Sequence, residues 1–262
     1  MILSPRLKRM AAMVGGEAEL NYTVHIAENP RFVFFSNPIC ACSTLKATLN
    51  LSVARAIGKT DFHIENAEMI HKRAANLLLT PYQLGYSRFE AMLDDPDVPL
   101  FAFVRSPQSR FLSAWRKKLS RETQFTRKVR AHLGIDPDVP LADFLTLDAF
   151  AVGVAADSDL RDLDEHWRLQ RKQIFFDELP RLTLGFVESF DADSARILGG
   201  IFGHDDYFLC DAVRLNPNNA SGNRKSGSDL SKIASADIAR AYAADSEMIA
   251  SARSQINESE MR

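Results

Sequence analysis

The stretch from Arg31 to Lys46, RFVFFSNPICACSTLK, constrains the fold more than any other. Its four consecutive apolar residues, Phe32, Val33, Phe34 and Phe35, predict a buried strand. Asn37-Pro38 ends that strand, because a proline cannot continue a hydrogen-bonded ladder. Small residues follow, Cys40, Ala41, Cys42, Ser43 and Thr44, and then Leu45, Leu49 and Val53 recur at helical spacing. A strand, a tight turn and a helix in that order point the first helical amides back into the turn, where an anion is favoured.

A second continuous apolar run, Leu100 to Val104, predicts a strand covered on both faces, as in a parallel sheet. It ends in Arg105-Ser106-Pro107, with Pro107 suited to the first turn of a helix that carries Phe111, Leu112, Trp115 and Leu119 on one side. Arg110 and Ser113, three apart, share a face near that helix start, and Arg105 sits at the strand end just before it. Two guanidinium groups, a hydroxyl and free amides thus converge at the carboxyl end of a strand, where open α/β sheets hold their ligands. Between these runs, a capping signal at Asp61 or Asn66 predicts a helix through Met69, Ile70, Ala74, Leu77 and Leu78 that stops before Thr80-Pro81. A short helix is predicted around Phe89 to Leu93, and residues 17–30 read as irregular. With 46% hydrophobic residues in a chain of 262, and no linker or repeat, the pattern predicts one α/β domain over 1–262 built on a mostly parallel sheet.

The charge pattern narrows the ligand. From Arg105 to Arg130 there are nine basic residues and one acid, Glu122, in a chain of formal net charge −2. A general nucleic-acid binder is more often basic throughout, so a single basic stretch indicates a local anionic ligand, or else a solvated helix face, and no nucleic-acid partner is expected. The first sixteen residues lack the long apolar core of a signal peptide or membrane span, so a cytoplasmic protein without a membrane span is expected. Cys40, Cys42 and Cys210 have no familiar zinc spacing and suit a reducing compartment; no metal is expected, and Cys40 and Cys42 are taken as small residues of the turn.

Two anion-binding strand–turn–helix units about seventy residues apart resemble the sulfotransferases that use 3′-phosphoadenosine 5′-phosphosulfate (PAPS), and most closely the carbohydrate branch of that family. The first family motif, roughly Pro-Lys-x-Ala-Cys-Thr-x-x-Lys, is met by Pro38, Ala41, Cys42, Ser43 and Lys46. The second, roughly Val-Arg-Asp-Pro-x-x-Arg-x-x-Ser-Ala-Tyr-Arg, is met by Val104, Arg105, Pro107, Arg110, Ser113, Ala114, Trp115 and Arg116. Asp164-Glu165-His166-Trp167-Arg168-Leu169-Gln170 looks like the branch's Asp-x-His-Trp-x-x-Gln element, and a predicted strand from Leu182 to Val187 followed by Glu188 resembles its next segment. Arg224-Lys225-Ser226-Gly227 is similar to the Arg-Lys-Gly segment that closes over the nucleotide in cytosolic sulfotransferases, although its composition equally fits a surface loop. The likeness spans about residues 31–230, with a C-terminal helix over 229–256 beyond it.

The resemblance implies a P-loop-like three-layer α/β fold with a central, mostly parallel sheet flanked by helices. It implies PAPS as co-substrate, with Pro38, Ile39, Cys40, Ala41, Cys42, Ser43, Thr44 and Lys46 at the phosphosulfate, Arg105, Arg110 and Ser113 at the 3′-phosphate, and Arg224 and Lys225 in a lid. The chemistry would be in-line attack on sulfur by a hydroxyl of a carbohydrate, glycolipid or related acceptor. Positioning and a positive field do most of that work, and a histidine or carboxylate takes the proton. Lys46 is the candidate cation; His71 and His166 are the first candidate bases, with His63 and Glu65 after them. Ile39 stands where the family carries a lysine against the developing charge. A P-loop kinase is the rival class, but no Gly-x-x-x-x-Gly-Lys-Ser/Thr is present; a non-catalytic module that binds an anionic polymer on the same fold is the other. Either a monomer or a homo-oligomer is compatible with the sequence.

Overall fold

The computed structural model describes residues 2–204, 206–210 and 230–260. Arg224 and Lys225 lie outside the described residues. The chain divides into two compact units: Met1–Val104 with Gln173–Arg224, and Arg105–Lys172 with Lys225–Arg262.

The first unit holds a mixed four-stranded sheet, β1 (Val24–Glu28), β2 (Arg31–Phe35), β3 (Leu100–Val104) and β4 (Thr183–Phe186), in that spatial order. β1 and β2 form an antiparallel hairpin, whereas β3 runs parallel to both β2 and β4, with Val33 opposite Leu100 and Phe101 opposite Thr183. The central strands are continuously apolar because both faces are covered: every residue of β3 is buried. On one face Phe32, Phe34, Phe101 and Phe103 pack with Leu45, Leu49 and Val53 of the Cys42–Ala56 helix and Ile197 and Leu198 of the Phe190–Phe202 helix. Each fully buried phenylalanine of this kind is worth roughly 1.5–3 kcal/mol in area removed from water. β3 and β4 approach closely at Gly185, where a Cβ atom would meet the Phe103 ring at 2.6 Å, so only glycine fits.

Residues 17–30, predicted irregular, instead contain the Glu17–Thr23 helix and β1. The sequence signal is weak because the helix is only about two turns long and the strand carries His25, itself fully buried, and the exposed Glu28. The predicted helix after residue 61 is shorter than its periodicity suggests. Asn66 caps it, its side chain accepting from the Met69 amide at 3.0 Å, but it ends at His71 and gives way to a 3₁₀ turn over Arg73–Ala75.

The second unit is helical. Its core is built on Phe111, Trp115, Leu119, Phe150, Val154, Trp167, Ile238 and Tyr242, with the Phe111 and Phe150 rings stacked at 5.4 Å. The Pro107–Ala114 helix starts on its proline as expected and then widens into a π-helical segment over Trp115–Leu119, which carries Arg116, Lys117 and Lys118. The C-terminal helix is broken at Tyr242 into Lys232–Ala241 and Ala243–Glu260, because the Tyr242 side chain turns inward, its hydroxyl donating to the Trp167 carbonyl at 2.5 Å. Helix continues to Glu260, four residues beyond the expected end at 256.

Candidate anion-binding sites

In the first unit, the loop between β2 and the Cys42–Ala56 helix is held from below and strained above. Asn37 is buried, and its Nδ2 donates to the Phe103 carbonyl at 3.0 Å, tying the loop's start to the end of β3. Pro38 and Cys40 are buried, while Ile39, at φ 68°, and Ala41, at φ 56°, both adopt the left-handed conformation. For a β-branched isoleucine that conformation is costly and is retained only where the surroundings impose it. Left-handed residues in a turn swing successive amides to one side, making a concavity for an anion. Ala41 offers no side-chain cap to the helix that follows, so the amides of Cys42, Ser43 and Thr44 are not capped by it. An uncapped helix start beside a strained loop is chemically suited to a phosphate or sulfate oxygen.

Behind that helix start lies a buried cationic group. Lys46, only 2% exposed, places its ammonium 4.9 Å from the centroid of Tyr22. Arg73 donates through Nη2 to the carbonyls of Val24 at 2.8 Å and Leu79 at 3.1 Å, and its Nη1 meets the His25 ring. Burial lowers the Arg73 pKa to about 10, opposed in part by Tyr22. Burial likewise pushes His25 well below the ordinary histidine value, and the charges of Lys46, Arg73 and His71 push it further the same way. His25 is thus neutral at pH 7. His71, which is exposed, reaches the helix start: its Nε2 lies 3.3 Å from Ser43 Oγ. His63 is exposed and sits beside Glu65, at 3.5 Å. The sequence singled out Lys46, His71 and Ser43, and the structure brings them to one end of one helix. His25 and Arg73 carried no signal, one because it lies in a stretch that read as irregular, the other because it looked like the polar face of a helix.

In the second unit, Arg105 and Ser113 meet: Arg105 Nη1 donates to Ser113 Oγ at 2.9 Å, and both residues are partly exposed. Arg110 is 2% exposed, and its terminal nitrogens donate to the carbonyls of Arg168 and Glu165, each at 2.7 Å. Its guanidinium therefore clasps the Asp164–Gln170 segment. Within that segment Asp164 is buried and accepts from His166 Nδ1 at 2.6 Å and Lys128 Nζ at 2.9 Å. Burial alone would raise the Asp164 pKa, but the hydrogen bonds and charges of His166 and Lys128 hold it down at about 2. A carboxylate on Nδ1 fixes the imidazole so that Nε2 is the basic nitrogen in the neutral ring. The Phe125 ring packs edge-on against His166 at 5.0 Å and carries the Lys118 ammonium at 4.5 Å. The basic stretch is thus divided by use. Arg130 is buried, donates to the carbonyls of Asp136 and Val139 and pairs with Glu122, whereas Arg116, Lys117, Arg121 and Arg127 are exposed.

Among the described residues no cluster of three or more His, Cys, Asp or Glu is placed to hold a metal ion, and no helix is long and apolar enough to cross a membrane. The fold and the two sets of donors are those of a mixed α/β protein with groups suited to anionic ligands. The model of the sulfotransferase family matches residues 22–238. The chain belongs to the sulfotransferase family, a membership consistent with sulfuryl transfer. No curated protein and no solved structure matches it.

Proposed function

We propose that this protein transfers a sulfuryl group from PAPS to a hydroxyl of a carbohydrate or related acceptor by in-line displacement, on a P-loop-like single domain. The observation that carries this reading is the loop at Pro38–Thr44. Two left-handed residues and an uncapped helix start stand beside buried Lys46, within a chain that belongs to the sulfotransferase family. The donor set fits a phosphosulfate: amides of Cys42, Ser43 and Thr44 and the hydroxyl of Ser43 for its oxygens, and Lys46 for its charge. When bound, PAPS supplies the activated sulfuryl group. Arg105 and Ser113 take the 3′-phosphate, and Arg110 keeps the segment beside them in place. Pro38, Ile39, Cys40 and Ala41 shape the loop, and Arg224 and Lys225 close over the nucleotide. Lys46 and the amides hold developing negative charge, and His71 or the Asp164-held His166 accepts the proton of the acceptor hydroxyl. The acceptor is a sugar hydroxyl of an oligosaccharide or glycolipid, and the protein acts in the cytoplasm.

Calorimetry with adenosine 3′,5′-bisphosphate, against ATP with magnesium, tests the nucleotide. Tight metal-free binding of the bisphosphate is expected, and its absence refutes the proposal. Transfer of labelled sulfate to a panel of glycans, glycolipids and small alcohols tests catalysis. Transfer abolished by Arg105→Ala and by Lys46→Ala is expected, and transfer unaffected by either would overturn the residue assignments.

A further inference from the structure

A buried carboxylate far along the chain stands behind Arg105. Asp245 lies in the first turn of the Ala243–Glu260 helix and is fully buried. One of its oxygens accepts from the backbone amide of Gln170 and the other from that of Arg171, each at 2.9 Å. Those amides open the short Gln170–Gln173 helix, so the carboxylate serves as the anion at its start. The side chain of Gln170, itself 0% exposed, then grips Arg105 by the peptide at both of its polar groups. Its Nε2 donates to the Arg105 carbonyl at 2.8 Å, and its Oε1 accepts from the Arg105 amide at 3.0 Å. Arg105 in turn donates to Ser113. The connection from Asp245 to Ser113 is therefore continuous through Gln170 and Arg105, all of it within the second unit.

A carboxylate in such a place is expensive. Removing it from water raises its pKa, and the two amides, the charge of Arg110 and a hydrogen bond from the Gln170 side chain pull the other way. The carboxylate is held by two backbone amides that an apolar residue would leave unpaired, and through them it fixes the orientation of one glutamine. That glutamine fixes the backbone of one arginine. Locking the backbone of a ligand residue reduces the conformational freedom lost when its side chain engages an anion.

We propose that Asp245 is a positioning residue for the anion-binding pair Arg105 and Ser113, acting through the bidentate grip of Gln170 on the Arg105 peptide. This rests on the reading of that pair as the 3′-phosphate ligands. Asp245→Asn replaces one acceptor oxygen by an NH₂ group facing a backbone N–H, so one of the two bonds is lost. Gln170→Met keeps the backbone amides that Asp245 accepts from and about the size of the side chain, but removes both bonds to Arg105 without adding a charge.

The test is calorimetric titration of the full chain and of both variants with adenosine 3′,5′-bisphosphate and with adenosine 5′-monophosphate, which lacks the 3′-phosphate. In the wild type the bisphosphate binds more tightly. Both variants lose about 10- to 100-fold of bisphosphate affinity while binding of the monophosphate changes little, so the preference collapses. Hydrogen exchange at the Arg105 amide accelerates in the same variants, a readout independent of any activity. Should Asp245→Asn fail to fold, Gln170→Met carries the test, because it leaves both backbone amides on the carboxylate and introduces no charge. An intact preference in the folded variants overturns the inference alone, as does an equal loss for both ligands. A wild type that shows no preference overturns the PAPS reading, and the inference with it.

Discussion

Replacing Asp164 by asparagine should cost stability in a manner that depends on pH. Asp164 is buried against His166 and Lys128, and its pKa falls from 3.8 to about 2 on folding. A depressed carboxylate pKa means that the folded state favours the charged form, so the stabilisation is fully present above the unfolded value and is lost as pH falls through the folded one. That depression corresponds to about 2 kcal/mol at pH 6. The same linkage leaves about half of it at pH 3 and almost none at pH 1. Asparagine cannot carry the charge, and its NH₂ group would face the His166 ring, so the variant loses the whole contribution at neutral pH. Urea unfolding of wild type and Asp164→Asn between pH 6 and pH 3 measures the difference. The difference cancels the titration of every other carboxylate. A gap that narrows from about 2 kcal/mol at pH 6 towards 1 kcal/mol at pH 3 is expected. A gap that stays constant over that range, or that is below about 0.5 kcal/mol at pH 6, would refute the ion-pair account of the segment.

Three further outcomes follow from the first unit. Lys46→Met should weaken adenosine 3′,5′-bisphosphate binding by about 10- to 100-fold, as loss of a charge-assisted contact does, and should raise the His25 pKa, since Lys46 is one of the charges holding it down; calorimetry and histidine NMR titration read the two effects. Gly185→Ala should destabilise the sheet by about 1–3 kcal/mol, because the new Cβ would sit 2.6 Å from the Phe103 ring, and thermal unfolding checks it. Ile39→Lys, which removes a β-branched residue from a left-handed position and restores a cation to the loop, should raise both stability and the rate of labelled-sulfate transfer; an unchanged rate would show that the cation is already supplied.

The sequence was most legible where one physical demand dominated. Phe32–Phe35 and Leu100–Val104 had to be doubly covered strands, Pro107 had to open a helix, and the small residues after Pro38 had to form a turn; β2, β3 and both helix starts lie where those demands put them. Spacing also brought Arg105 to Ser113, eight residues away on the next helix. It could not distinguish Arg110 from them. All three have the composition of an anion site, and only the fold shows that Arg110 is buried with both terminal nitrogens donating to backbone carbonyls. The charge run from Arg105 to Arg130 misled in the same way: Arg130 is a buried brace, because a guanidinium with five donors serves a loop's carbonyls as well as it serves a ligand. Asp245 was invisible because its meaning depends wholly on partners some seventy residues earlier, Gln170 and Arg171. His25 and Arg73 were invisible for the same reason, being a strand residue and a turn residue that meet only in the folded first unit.

The parallel pairing of β3 with β4 has a consequence for how the chain emerges during synthesis. Phe101 is paired with Thr183, so about 80 residues of chain must be made between the two halves of that pairing. The β1–β2 hairpin is complete within a dozen residues and can form at once, but β3 waits with an entirely apolar edge until Thr183–Phe186 has left the ribosome. A nascent chain stalled shortly before Thr183 should accordingly be the form most readily captured by chaperones and most prone to aggregate. Extending it past Phe186 should relieve both.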